Sequence, residues 1–278
     1  MERKILLTDC PDETGLIARV TGICSRHRLN IIKNTEFVDN QKSRFFMRTV
    51  LDGEFTDDFL AEVKESLPES ASIRLVTSCR KRLVIMVTKE IHCLGDLLLK
   101  NYAKTMNFEI AAVIGNYNSL RELTEKFSIP FHLVSHEGLT REEHCRQIMK
   151  VIDAYAPDYI VLAKYMRILT PEFISAYPNR IINIHHSFLP AFIGAKPYEQ
   201  AYNRGVKIIG ATAHFVTEHL DEGPIIEQDV IKVDHNFTAS DMAEAGRDIE
   251  RMVLDHALNY VLDDKVFIYG NKTVVFRN

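Results

Sequence analysis

The sequence has no tryptophan, and it lacks both long hydrophobic runs and paired cysteines. No stretch approaches the roughly 18 apolar residues that a membrane-spanning helix needs, so we expect no membrane partner. The five cysteines stand far apart, without the CxxC or cysteine–histidine spacings typical of zinc sites. The N-terminal segment shows no secretory pattern. We therefore expect reduced thiols, no metal and a cytoplasmic protein.

Positive charge is also not in excess. The chain has 34 basic and 38 acidic residues, a net charge of −4, and its basic residues are scattered. Nucleic-acid binding needs a concentrated basic surface, so we expect no nucleic-acid partner. A hydrophobic content of 46% over 278 residues is ordinary for a globular protein, and the length favours two domains.

Residues 1–80 alternate between short apolar runs and helical spacing. The pattern predicts strands at 4–8, 29–38, 43–51 and 72–77, with helices from Leu16 to near His27 and over 56–67. This β-α-β-β-α-β order is ferredoxin-like. The first domain is therefore predicted to end near residue 80.

Residues 81–278 begin a second pattern, in which apolar strands alternate with amphipathic helices. Strands predicted at 83–87, 109–114, 131–134, 159–163, 180–184 and 208–216 indicate an α/β domain with a mostly parallel, doubly wound sheet. A further strand over 225–233, a helix over 238–262 and a hairpin around Gly270–Asn271 complete the predicted domain.

Polar residues at the end of the strand over 180–184 form the best candidate site. Asn183 and His185 are two residues apart, so they lie on the same face of the strand. Ligands of open α/β sheets bind beyond the carboxyl ends of the strands, which is where these two residues lie. An amide, an imidazole and a carboxylate, for which Asp221 is the first choice, suit acyl hydrolysis. The alternatives are a core histidine and, for Asp221, a turn residue before Gly223–Pro224.

Four segments in order carry a family resemblance: Pro157–Pro171, Asn183–Pro190, His214–Val216 and Leu220–Pro224. Together they resemble the formyltransferase-hydrolase group that uses 10-formyltetrahydrofolate, and within it the formyltetrahydrofolate deformylases. The resemblance implies catalytic roles for Asn183, His185 and Asp221 and a supporting role for His214. It also implies a folate-binding wall formed by Met166, Arg167, Ile168 and Leu169, although Arg167 could equally be a structural link.

The implied reaction hydrolyses 10-formyltetrahydrofolate to formate and tetrahydrofolate, balancing one-carbon pools and supplying formate for purine synthesis, with no cofactor beyond this substrate. Related glycinamide ribonucleotide transformylases carry a phosphate loop after the first strand. Here that place, 88–95, has one glycine and an acidic residue, a poor phosphate cradle. We expect water as acceptor, protonated His185 with Asn183 on the oxyanion, and Asp221 as base. Alternatives are transfer to another amine and a non-catalytic folate or amino-acid sensor.

The first domain resembles ACT domains in its order of elements and its length. This implies an amino-acid effector, with glycine or methionine as candidates, bound near Asp12, Gly15 and Asn30. The same three residues could instead be a loop, a helix start and a strand start. Pairing of such domains implies a homo-oligomer with an even number of subunits.

Overall fold

The computed structural model describes residues 2–191 and 197–277, which form two compact units. Unit 1 comprises the chain up to Cys79 together with Asp263–Phe267 and the residues from Phe276 onward. Unit 2 comprises Arg80–Leu262 and Ile268–Val275. The sequence pattern indicated a single boundary near residue 80 and did not indicate that part of the C-terminal segment belongs to unit 1. Among the described residues, no helix is long and apolar enough to cross a membrane.

Unit 1 has the predicted ferredoxin-like order of elements. Its elements are β1 (Glu2–Pro11), α1 (Leu16–Arg26), β2 (Asn30–Asp39), β3 (Arg44–Gly53), α2 (Phe59–Ser66) and β4 (Ser72–Thr77). The strands form an antiparallel sheet in the order β2-β3-β1-β4. The apolar faces of both helices pack on this sheet, with Val20, Ile23, Phe59 and Val63 in the core. The predicted fold of the first domain is confirmed.

The chain's later segment joins unit 1 through a buried arginine. Arg48 of β3 donates from Nε to the Asp264 carbonyl at 3.0 Å and from Nη2 to the Asp263 carbonyl at 2.9 Å. Phe267 packs edge-on against Phe46, with ring centroids 5.7 Å apart. A cation and an aromatic ring thus bind residues more than 200 positions apart, which local sequence patterns cannot reveal.

Unit 2 is an α/β domain built around a seven-stranded sheet. Its strands are β5 (Lys81–Val87), β6 (Phe108–Gly115), β7 (Phe131–Leu133), β8 (Tyr159–Leu162), β9 (Ile181–His185), β10 (Ile208–Phe215) and β11 (Ile225–Lys232). Its helices are α3 (His92–Ala103), α4 (Arg121–Lys126), α5 (Arg141–Tyr155), α6 (Pro171–Ala176), α7 (Pro197–Arg204) and α8 (Ala239–Leu262). A terminal hairpin follows, formed by β12 (Val266–Tyr269) and β13 (Lys272–Val275).

The strand order is β11-β10-β9-β8-β5-β6-β7. The pairs among β5, β6, β7, β8 and β9 are parallel, so the predicted mostly parallel sheet is confirmed. By contrast, β10 runs antiparallel to both β9 and β11, a reversal that the sequence pattern did not predict. The sequence pattern did not predict α6 and α7, which span only 6 and 8 residues.

A buried threonine fixes the loop that follows β9. Thr212 of β10 donates from Oγ1 to the Ser187 carbonyl at 2.9 Å. The same hydroxyl accepts from the Leu189 backbone N–H at 3.1 Å and from Gln228 Nε2 at 2.8 Å. One hydroxyl therefore satisfies polar groups from the loop and from β11.

We expect Thr212→Val to lower the free energy of unfolding by about 2 kcal/mol, because it leaves buried polar groups of the loop unpaired at nearly constant side-chain volume. Denaturant titration measures the change. Thr212→Ser keeps the hydroxyl and is the matched control. Equal stability of the valine variant and the unsubstituted protein would contradict the role given to this hydroxyl.

Candidate active site

The pairing of β9 with β10 brings three polar side chains to one place. Asn183 and His185 are two apart on β9 and face the same side of the sheet. In the antiparallel register, His214 of β10 lies directly opposite Asn183. Opposed residues of an antiparallel pair share a face, so His214 joins Asn183 and His185.

Hydrogen bonds indicate how Asn183 and His214 are oriented. His214 Nδ1 lies 2.9 Å from the Phe215 carbonyl, which can only accept, so Nδ1 carries the proton. In the neutral ring, Nε2 then accepts from Asn183 Nδ2 at 3.2 Å. Burial lowers the pKa of His214, which favours this neutral form. His214 therefore holds the Asn183 amide with its nitrogen directed toward the site.

Asp221 reaches these residues from the loop after β10. Its backbone is left-handed, with φ of 57°, a conformation that aspartate tolerates better than most residues. Its Oδ2 lies 3.4 Å from His185 Nδ1, and its Oδ1 lies 3.8 Å from His214 Nε2. The loop lies so close to β10 that a Cβ on Gly223 would lie 1.8 Å from the Phe215 carbonyl oxygen. Glycine at this position is what permits the approach.

The cluster lines a cavity of about 330 Å³. The four predicted folate-binding residues, Met166, Arg167, Ile168 and Leu169, line the same cavity. Met166 and Ile168 are about half exposed, whereas Leu169 is buried in the core. The backbone N–H of Met166 donates to Thr88 Oγ1 at 3.0 Å, which ties this wall to the end of β5. The structure thus places all eight residues predicted for catalysis, support and folate binding around one cavity.

The charge state of His185 differs from the protonated form that was expected from the sequence. Burial lowers the pKa of His185 below its usual value, and the nearby Asp221 carboxylate offsets this only in part. The imidazole is therefore neutral near pH 7, not the protonated form expected from sequence. Its Nε2 is buried and has no hydrogen-bond partner among the described residues. Because Asp221 lies beside Nδ1 and favours a proton there, Nε2 carries a free lone pair.

Two charged residues beside the site, Lys164 and Glu250, were not predicted from the sequence. Lys164 lines the cavity with a nearly buried side chain and a left-handed backbone, with φ of 60°. Its Nζ lies 3.1 Å from Glu250 Oε2 on α8. Burial alone would raise the pKa of Glu250, but a hydrogen bond from His92, the charge of Lys164 and a hydrogen bond from Tyr198 lower it to about 2. Glu250 falls among the buried apolar positions of α8, a sequence signal that could have identified it.

His186 follows His185 directly, so continued strand alternation would place it on the face opposite Asn183 and His185. It lies just beyond β9, where strand alternation no longer applies, and it lines the cavity with them. Burial lowers its pKa to about 4. The site therefore contains a second neutral imidazole next to His185, with ring centroids 5.1 Å apart.

His92, Cys93 and Glu250 are the one group of potential metal ligands within coordinating distance of one another among the described residues. The oxygens of Glu250 are already engaged by Lys164, by His92 Nε2 at 2.8 Å and by Tyr198 Oη at 2.7 Å. An ammonium group this close opposes a second cation. The donor set therefore does not fit a metal ion.

The three predicted effector residues do not lie close together within a single copy of unit 1. Gly15 is left-handed, with φ of 91°, at the start of α1, and Asp12 follows β1, which ends opposite Arg44. Asn30 begins β2 opposite Asp52, at the other end of β3. Along β3, the eight residue-to-residue steps from Arg44 to Asp52 separate these ends by about 26 Å. A small ligand cannot contact both ends of one sheet.

Comparisons with known proteins agree with this architecture. A formyl transferase family model matches residues 81–258, and an ACT domain model matches residues 4–67. The fold and the site thus define a formyl transferase domain joined to an ACT domain.

Formyltetrahydrofolate deformylases of Haemophilus influenzae and Escherichia coli are 63% and 62% identical to the chain, each covering 99% of both sequences. A crystal structure of a formyltetrahydrofolate deformylase from Pseudomonas syringae matches with a TM-score of 0.95 and 40% identity, over 99% of this chain and 95% of that one. The chain belongs to the formyltetrahydrofolate deformylase family. A glycinamide ribonucleotide transformylase from Symbiobacterium toebii is more distant, with a TM-score of 0.69 and 26% identity over 74% of this chain and 98% of that one.

We expect Asp221→Asn to lower the pKa of His185 further. His185 faces the charges of Asp221 and Glu250, which raise its pKa, and those of His214 and Lys164, which lower it. Asparagine tolerates the left-handed backbone and removes only the charge. NMR titration of the histidine rings measures the shift, with Glu222→Gln in the same loop as control. A His185 pKa that stayed constant or rose would contradict the electrostatic coupling.

Proposed function

We propose that this chain hydrolyses 10-formyltetrahydrofolate to formate and tetrahydrofolate. The observation that carries the proposal is the convergence of Asn183, His185 and Asp221 on a cavity that apolar side chains such as Met166 and Ile168 also line. An amide donor and an imidazole–carboxylate pair suit attack on a formyl carbon, and a largely apolar wall suits a flat pterin ring. The names of the relatives point to the same reaction.

Asn183 is proposed to stabilise the oxyanion. One N–H of its amide is directed to His214 Nε2, and the second is available to the formyl oxygen. Because His214 fixes the amide before the substrate binds, the donor needs little reorganisation when charge develops. His214 then acts as a positioning residue for Asn183.

The His185–Asp221 pair is proposed to handle the proton of the attacking water. The neutral imidazole, with its lone pair on Nε2, accepts this proton as oxygen bonds to the formyl carbon, and Asp221 stabilises the imidazolium that forms. The proton then passes to N10 of the folate as the carbon–nitrogen bond breaks, releasing formate and tetrahydrofolate. This replaces the resting imidazolium and the aspartate base expected from sequence.

Incubating the protein with 10-formyltetrahydrofolate and no acceptor is expected to release formate in a 1:1 ratio to the folate consumed. Asp221→Asn is expected to slow release by about 100-fold or more, since general acid–base help contributes at least this much. Glu222→Gln, one residue further along the same loop, is the control and should keep the rate. Loss of the formyl group only when an amine is added would favour a transferase, and binding without turnover would favour a sensor.

For unit 1 we propose binding of an amino acid such as glycine or methionine between paired copies of the chain. The ACT match and the separation of Asp12 from Asn30 both favour a site completed by a second copy. Ile32 and Phe37 on the edge strand β2 are each about half exposed, and this favours pairing of β2 with a second copy of the chain. An even-numbered oligomer follows from this proposal.

We further propose that the protein acts in the cytoplasm, where its formate product supplies purine synthesis.

Glycine or methionine is expected to change the rate of formate release by about fivefold, a typical coupling between two sites. Asp12→Ala should abolish this response, and Asp57→Ala, an exposed aspartate of the same unit, should retain it. Light scattering gives the number of subunits with and without each amino acid. If calorimetry detects neither amino acid binding and the rate stays constant, the proposed regulation is wrong.

A further inference from the structure

The loop that carries Asp221 is hydrogen-bonded on two sides. On one side β10 holds it, because the Phe215 N–H donates to the Pro224 carbonyl at 2.9 Å. On the other side the terminal hairpin holds it. Asn271 Nδ2 donates to the Glu222 carbonyl at 2.9 Å, and Thr273 Oγ1 donates to the Ile225 carbonyl at 2.5 Å. Both acceptors lie within four residues of Asp221.

Packing gives the loop little support on the hairpin side. A second cavity, of about 520 Å³, lies between the loop and the hairpin, and Asp221 lines it as well as the first cavity. Side chains that do not fill a space cannot resist movement into it. Directional hydrogen bonds from the hairpin must therefore set the position of the loop along this side.

The backbone of Asp221 makes that position important. Its left-handed φ of 57° and the close approach of Gly223 to β10 fix the direction in which the carboxylate points. The carboxylate is 3.4 Å from His185 Nδ1, so a shift of about 1 Å would break the pair. The hairpin is also outside the region that matches the formyl transferase model, which ends at residue 258.

We propose that Asn271 and Thr273 of the terminal hairpin are positioning residues that hold Asp221 against His185. This inference rests on the proposed hydrolysis. No hairpin residue is among those that line the cavity with the Met166–Leu169 wall. The hairpin instead acts through the backbone of the Asp221 loop. Its effect should therefore fall on turnover more than on substrate binding.

The test compares kcat and KM for formate release by Asn271→Ala, Thr273→Val and the double variant. We expect the double variant to lose about tenfold or more in kcat, with a smaller change in KM, because misplacing a catalytic group by about 1 Å costs up to 10²-fold. Thr273→Ser retains the hydroxyl and should restore kcat. Glu222→Gln serves as the loop control, and thermal melting verifies that each variant is folded.

A double-mutant cycle with Asp221→Asn separates positioning from a general structural effect. If the hairpin acts through the Asp221 carboxylate, the hairpin substitutions should cost nothing further once that carboxylate is gone. Losses that multiply in the Asp221→Asn background would overturn the proposal, as would an unchanged kcat in the double variant or an equal loss in Thr273→Ser. Failure of the unsubstituted protein to release formate would instead refute the proposed function.

Discussion

The antiparallel pairing of β10 with β9 is the constraint on which the arrangement of the site depends. Were β10 parallel, its carboxyl end would lie beside the end of β9, and His214 would not stand opposite Asn183. In the observed register His214 pairs with Asn183, and the chain leaving β10 turns back toward His185 with Asp221. The absence of a side chain at Gly223 lets this returning loop lie against Phe215. One reversed strand thus accounts for the contact of His214 with Asn183 and for the contacts of Asp221 with His185 and His214.

Burial sets the second constraint, because it decides which groups hold charge. His185, His186 and His214 all have pKa values lowered by burial, so three imidazoles near the cavity are neutral. Glu250 is equally buried but stays ionised, since His92, Lys164 and Tyr198 compensate its lost hydration. The site therefore combines neutral bases with a charge-balanced pair beside them. A neutral base is what a reaction with water requires, because an imidazolium cannot accept a proton.

Periodicity was sufficient to predict much of the fold. The strand at 72–77 was predicted residue for residue, and the long helix over 238–262 differs by one residue at its start, because such elements depend on local patterns. The direction of β10 was not predictable, since the same alternation of apolar residues occurs in parallel and in antiparallel strands. Asn183 and His185 were accessible from strand geometry, and Asp221 from family resemblance. Lys164 and Glu250 were missed, because their pairing joins residues 86 positions apart and depends on the tertiary fold.

The region after β5 explains why water suits this site better than a phosphate-bearing amine. The resemblance to the transformylases implies that a phosphate would be held in this region. In this chain the region contains Glu90, which lies 3.6 Å from Lys164 Nζ. The cations nearby are already engaged: Lys164 pairs with Glu250, and Lys89 lies over the ring of Tyr117. Tyr198 reaches Glu250 only because residue 246 is glycine, where a Cβ would lie 2.0 Å from its hydroxyl. A phosphate dianion would meet two carboxylates and cations already paired, so its binding would cost electrostatic energy that water does not incur.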